Sequence, residues 1–200
     1  MFSAFSKPRE IPYKIVLIGG GGVGKTSFSE RLSKGDTDEY KFKKKYEPTI
    51  GGSVVELKYK SNIGDINMHL WDTAGQEKFG ELRDAYVYGS DAIILMYNLN
   101  DPKSIRGINK WLRYARRVCP NVPIAICGNQ KDKVKNPRSP INISWDSKSK
   151  KFLVSAKEDD GIRDPFVWIF EELILKAGIF SYGSIKFKNE VKKPTYVSDF

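Results

Sequence analysis

Apolar and polar positions follow two different rhythms along the chain. The stretches "YKIVLIG" (13–19), "AIILMYNL" (92–99) and "PIAICGN" (123–129) are short and almost wholly apolar. That is the composition of strands covered on both faces. "KFLVSA" (151–156) is another such run. "SVVELKYK" (53–60) and "INMHLWD" (66–72) instead alternate apolar with polar, and "SNIGD" separates them. Alternation broken by a glycine-containing turn predicts a hairpin. Between these runs, helical spacing predicts helices over about 25–34, 104–118 and 163–177. The last carries Phe166, Ile169, Phe170, Leu173 and Ile174 along one side.

Strand, helix, hairpin, then repeated helix and strand predict an α/β fold. The expected sheet has six strands, is mixed but mostly parallel, and is flanked by helices. There is no internal repeat. The pattern predicts a short arm over residues 1–10, one domain over 11–177 and a tail over 178–200 that is mobile unless it docks. Residues 131–151 read as an exposed basic loop.

Composition narrows the class without choosing a function. At 200 residues, 40% hydrophobic and 29% charged, the chain suits one ordinary globular domain. No apolar run approaches the roughly 18 residues of a membrane span. The start "MFSAFSKPRE" has no signal-peptide core, so no secretion is expected. The net charge of +10 suits nucleic acid, anionic lipid or an acidic protein equally well. Cys119 and Cys127 form no metal or redox spacing and read as buried thiols of a reducing compartment. Neither is C-terminal, so no prenyl anchor is expected. His69, the sole histidine, falls on the polar phase of its strand with Asn67 and reads as structural.

Parallel sheets bind ligands beyond the carboxyl ends of their strands, so the residues after each strand carry the candidate chemistry. After the first comes "GGGGVGKTS". It contains the spacing G-x4-G-K-T between a strand and a helix, which is the phosphate-loop pattern in its expected context. Gly20, Gly21, Gly22, Val23 and Gly24 would turn backbone N–H groups onto an anion. Lys25 would reach the β- and γ-phosphates, and the Thr26 hydroxyl would bind Mg²⁺, with Ser27 beside it. After the third strand comes "DTAGQE" (72–77). Asp72 would hold Mg²⁺ through water, Gly75 would donate its N–H to a γ-phosphate and Gln76 would orient an attacking water. In the loop "YKFKKKYEPTIGG" (40–52), Thr49 would complete the Mg²⁺ shell and Phe42 would pack on a base. "NQKD" (129–132) and "SAK" (155–157) follow the fifth and sixth strands. The Asp132 carboxylate would accept from guanine N1–H and N2–H₂, a donor pair that adenine lacks. The Ala156 N–H would donate to guanine O6.

Five stretches in one order, each at a strand end or the intervening loop, identify the chain as similar to Ras-superfamily small GTPases, which are P-loop NTPases. Within them it most resembles the Ran family of nuclear-transport GTPases, through "WDTAGQEKFGELRDAY" (71–86), "RVCPNVPIAICGNQKD" (117–132), "KKKYEPTIGG" (43–52) and "PFVWIFEELI" (165–174). The resemblance covers about residues 11–177. It implies a monomeric GTP/GDP switch using Mg²⁺, with catalysis by Gln76, Lys25 and Thr49. It also adds Tyr46, Asn129, Gln130, Ser155 and Lys157 to the nucleotide-binding set. Loops 40–52 and 72–88 would be the two switches. Importin- and exportin-type receptors, an exchange factor and a GTPase-activating protein are the implied partners, and nucleus and cytoplasm the implied locations.

Three positions depart from the Ran pattern. Gln130 replaces a lysine whose stem covers the base, so guanine should be held more weakly while Asp132 keeps specificity. The tail "TYVSDF" lacks an acidic end, which removes the expectation of Ran-type tail docking. Val23 replaces threonine, with little effect expected. Other readings share part of the pattern: a receptor-occupying mimic that binds nucleotide without cycling, an ATP-dependent phosphotransferase, and a nucleic-acid binder. For the last two there is neither a lid and acceptor site nor a recognised nucleic-acid motif.

Overall fold

An almost wholly apolar strand has to be covered on both faces, and the first strand is covered from Ile15 to Ile18. The computed structural model of the chain describes residues 12–34, 52–61, 64–73, 80–140, 146–176, 187–188 and 196–197. In chain order these form β1 (Tyr13–Ile18), α1 (Lys25–Lys34), β2 (Gly52–Ser61), β3 (Gly64–Thr73), α2 (Gly80–Val87) and β4 (Ala92–Asn98). There follow α3 (Pro102–Val118), β5 (Ile124–Asn129), β6 (Ser149–Leu153), α4 (Asp164–Lys176), β7 (Phe187–Lys188) and β8 (Tyr196–Val197). On β1, Ile15 and Leu17 join a core with Phe28 and Leu32 of α1 and Phe166, Ile169 and Phe170 of α4. Val16 and Ile18 point the other way, into a core with Val87 of α2 and Ile108, Leu112 and Ala115 of α3. The two-residue period of the strand therefore divides the helices between the two faces.

The sheet runs β6-β5-β4-β1-β3-β2-β7. β1 pairs in parallel with both β3 and β4, and β4, β5 and β6 continue the parallel run. Only β2, the partner of β3 in the expected hairpin, runs antiparallel among the six longer strands. The order reverses at β1, so its carboxyl end opens into the crevice where such sheets bind ligands.

Two expectations need correction, and the tail, expected to be mobile unless it docks, meets the second alternative at two short pairings. The sixth strand is β6, Ser149–Leu153, and not 151–156; beyond it Ser155 makes only an isolated bridge to Asp160. Val154 and Ala156 are buried like strand residues, which is why the apolar run misleads. The tail also returns to the sheet. β7 pairs with Lys60 and Ser61, and β8 with Val54 and Val55, both antiparallel to β2. Seven tail residues lie between these pairings but only four residues of β2, and Pro194, which has no N–H to donate, is among the seven. Residues 131–151 are likewise more than an exposed loop. They include a 3₁₀ turn, Lys131–Lys133, the buried Asp146 and the first residues of β6.

Asp146 anchors that region to α3. Arg116 meets it with both ends of its guanidinium, Nε to Oδ2 at 2.7 Å and Nη2 to Oδ1 at 3.0 Å. The same guanidinium donates to the carbonyls of Val122 at 2.6 Å and Lys148 at 3.1 Å. Burial works against the Asp146 charge, but the hydrogen bonds from Arg116 and Ser149 and the Arg116 charge overcome it and hold the pKa below the usual value. The contribution is thus complete above the ordinary carboxylate pKa and is lost as pH falls through the lowered one. The expected sheet, the helices on both faces and the two buried, free cysteines are all present.

Truncating Arg116→Ala leaves a buried carboxylate unpaired and should cost about 3 kcal/mol in urea denaturation at neutral pH. Arg117→Ala removes the exposed pair with Asp84 and a guanidinium 5.4 Å from the Tyr114 ring centre, and should cost less than about 1 kcal/mol. Equal losses in the two variants would contradict this assignment.

Candidate functional site

The loop between β1 and α1 needs glycine for reasons of space. A Cβ on Gly19 would lie 2.3 Å from the Met96 carbonyl oxygen, and one on Gly24 would lie 2.3 Å from Asn129 Nδ2. Both residues also have positive φ, +145° and +94°. Side chains are thereby kept out of the places where the loop touches β4 and β5. Gly21 and Gly22 sit exposed at the loop tip, Gly20 is half-buried and Val23 is buried, anchoring the loop to the core. Thr26 and Ser27 are half-buried in the first turn of α1.

Lys25 is buried at the base of the loop, where its ammonium donates to the carbonyls of Gly19 at 3.1 Å and Gly20 at 2.9 Å. Burial depresses its pKa to about 8, a shift that the nearby Asp72 charge partly offsets. Asp72, at the end of β3, is almost fully buried. Burial raises its pKa, while the Thr26 hydroxyl and the Lys25 charge act in the opposite direction. Thr26 is close enough to favour the carboxylate, yet neither carboxylate oxygen reaches full hydrogen-bond geometry with a described partner. A buried carboxylate without full partners is costly unless a cation meets it. Asp72 with the Thr26 hydroxyl fits Mg²⁺, which is usually held by one or two protein oxygens together with phosphate oxygens and water.

The other end of the site is tied to the first by one side chain. Asn129, the last residue of β5, donates from Nδ2 to the Val23 carbonyl at 2.9 Å. Its Oδ1 accepts the Ala156 N–H at 3.1 Å. The Ala156 amide assigned from sequence to guanine O6 is thus directed at Asn129. Asp132 Oδ1 accepts from Ser155 Oγ at 2.6 Å, which leaves Oδ2 and the remaining lone pairs for a ligand. Gln130 lies between them with left-handed backbone, φ 65° and ψ 36°. Lys157 is exposed and paired with Glu158.

The sequence marks Asn129 as a nucleotide contact but not as this bridge, because both partners are backbone groups. It also gives no sign of Arg31, which reaches from α1 to the Ala156 carbonyl at 3.3 Å and the Lys157 carbonyl at 2.7 Å. Tethering of the 155–157 loop therefore comes from α1 as well as from Asn129 and Asp132. Trp71 packs against Tyr86 of α2, with ring centroids 6.3 Å apart, next to the Asp72 end of β3. His69 is half-buried on β3, as its polar phase predicts.

Phe42, Tyr46, Thr49, Gly75 and Gln76 lie outside the described residues. The described ones bring together Gly20 to Ser27, Asp72, Asn129 to Asp132 and Ser155 to Lys157 at the carboxyl ends of β1, β3, β5 and β6. Backbone N–H groups, the N-terminus of α1 and Lys25 stand at one end, a setting that suits an anion. A carboxylate forms the other.

The model of the Ras family matches residues 14–175. That span is most of the chain, and the chain belongs to the Ras family. It contains a small-GTPase domain with the P-loop fold, and proteins of this family bind GTP and GDP with Mg²⁺.

Phosphate oxygens beside Lys25 favour its charged form and raise its pKa again. At pH 8–9 the nucleotide-free protein holds Lys25 partly neutral, so binding Mg²⁺·GDP should take up a proton. Calorimetry in two buffers of different ionisation enthalpy should show that uptake, and Lys25→Met should abolish it.

Proposed function

We propose that this protein is a Ran-type molecular switch: it binds GTP, hydrolyses it to GDP with Mg²⁺ and engages nucleocytoplasmic transport receptors of the importin and exportin type in its GTP state. The guanine-nucleotide part rests above all on the shared crevice, in which the phosphate loop and the Asp132 loop are joined through Asn129. The Ran-type part rests on the sequence from 71 to 86 and the other stretches that resemble that family.

In this reading the loop N–H groups and Lys25 hold the phosphates, and Thr26, Thr49 and Asp72 hold the metal. Bound Mg²⁺ would neutralise charge on the transferring phosphate. Gly75 fixes the γ-phosphate end, and Gln76 orients water for in-line attack. Phe42, Tyr46 and Gln130 flank the nucleoside, while Asp132, Ser155, Ala156 and Lys157 form the base-reading end. Unassisted hydrolysis in Ras-type proteins is slow, on the order of 10⁻⁴ s⁻¹. An exchange factor and a GTPase-activating protein would therefore set the cycle. Nucleus and cytoplasm are the compartments such a cycle joins.

A second reading is a mimic that occupies transport receptors without cycling. Gln130 motivates it, because a neutral amide stands where the Ran pattern has a cation.

Receptor binding separates the two. The GTP-loaded chain should be retained on an immobilised importin-β-type receptor, and the GDP-loaded chain should elute. Adding the activating protein should release the wild type but not Gln76→Leu, which binds GTP and fails to hydrolyse it. Retention of both nucleotide forms, with no release on stimulation, would favour the mimic. Absence of receptor binding in either form would contradict both.

A further inference from the structure

Gln130 and Asp159 are the non-glycine residues with positive φ among those described. A left-handed backbone is disfavoured for a residue bearing a Cβ and persists only where its surroundings over-determine it. At Gln130 the demand is geometric. Asn129 has to face Val23 and Ala156, and Asp132 has to face Ser155. The sharp turn between them sends the Gln130 side chain back toward the phosphate loop, where Nε2 makes a long contact of 3.5 Å with the Gly22 carbonyl. Its other end is held more firmly. Lys133 closes the turn through its backbone N–H to the Gln130 carbonyl at 3.0 Å, and its ammonium donates to Gln130 Oε1 at 2.9 Å.

A carboxamide has two ends of similar shape and opposite hydrogen-bonding character. The Lys133 ammonium selects the acceptor end, which turns the donor end toward the phosphate loop. A ligand with phosphates at that loop and its base edge at Asp132 has to pass Gln130, which lies between the two. A lysine at 130 would instead place a second cation in the same turn as Lys133, and the two like charges would repel.

Resting on the reading of this crevice as a guanine-nucleotide site, we propose that Lys133 is a positioning residue: it fixes the Gln130 carboxamide as the pocket wall between the phosphate loop and Asp132, and thereby slows nucleotide release. The positive charge the Ran pattern carries at 130 is here displaced three residues along the chain, with a neutral planar amide left facing the nucleoside.

The test is a double-mutant cycle on the release rate of fluorescently labelled GDP from the full chain with Mg²⁺ present. Lys133→Ala and Gln130→Ala should each speed release about fivefold, and the double variant should be no faster than Gln130→Ala alone. Lys133→Arg should restore the rate to within about twofold, because a guanidinium can also donate to Oε1. Gln130→Lys should release more slowly in the Lys133→Ala background than beside the native Lys133. Melting temperatures of the nucleotide-free variants should match the wild type. The proposal is overturned if Lys133→Ala releases at the wild-type rate. It is also overturned if the Lys133→Ala effect persists undiminished without Gln130, because Lys133 would then act only as a surface charge. A wild type that takes up no labelled GDP would overturn the guanine-nucleotide reading itself, and the role of Lys133 with it.

Discussion

The site depends on one carboxamide. Asn129 holds the Val23 carbonyl with one end and the Ala156 amide with the other, so a loop after β1 and a loop after β6 are fixed relative to each other through the end of β5. All three groups are buried, and leaving a buried polar group unpartnered costs roughly 1–3 kcal/mol. That bridge sets the separation between an anion-binding nest and the Asp132 carboxylate. It also explains why Gly24 has no side chain, since a Cβ there would collide with Asn129 Nδ2. The glycine spacing usually read as a phosphate motif is therefore also a clearance requirement of the base end.

Charge in the crevice is arranged at the expense of local stability. Lys25 and Asp72 are both buried, and burial disfavours the charged form of each. Lys25 rests on backbone carbonyls, and Asp72 lacks full hydrogen-bond partners. Each of these deficits would be met by one part of a metal–nucleotide ligand: phosphate for the ammonium and a divalent cation for the carboxylate. The surrounding sheet can sustain the arrangement because β1 is covered on both faces and joined in parallel to β3 and β4. Elsewhere, Arg116 secures the region before β6 by pairing with Asp146 and with the carbonyls around it.

Much of this was legible in the sequence because the signals are chemical and local. Buried strands show as apolar runs, the hairpin shows as alternation, and the phosphate loop shows as glycines placed between a strand and a helix. The order of those pieces was enough to predict the sheet and the face on which the site opens. Contacts to backbone were not legible. The bridge from Asn129 and the tether from Arg31 end on main-chain groups that no residue type marks. The end of β6 was misplaced because Val154 and Ala156 join the core of α1, β1 and α4 although they lie past the last strand residue, Leu153. The tail pairings involve two residues each, too short to show any period. Gln130 was legible as a departure from the Ran pattern, whereas its contacts with Gly22 and Lys133 emerged only from the left-handed turn.

All of these features converge on one claim, that the two ends of the crevice grip a single guanosine di- or triphosphate. The direct measurement is the identity and amount of nucleotide released when the purified full chain is denatured and its small molecules are separated by chromatography. The account predicts a guanine nucleotide at close to one per protein. An adenine nucleotide in that quantity, or no nucleotide together with no uptake of added GDP or GTP, would contradict it.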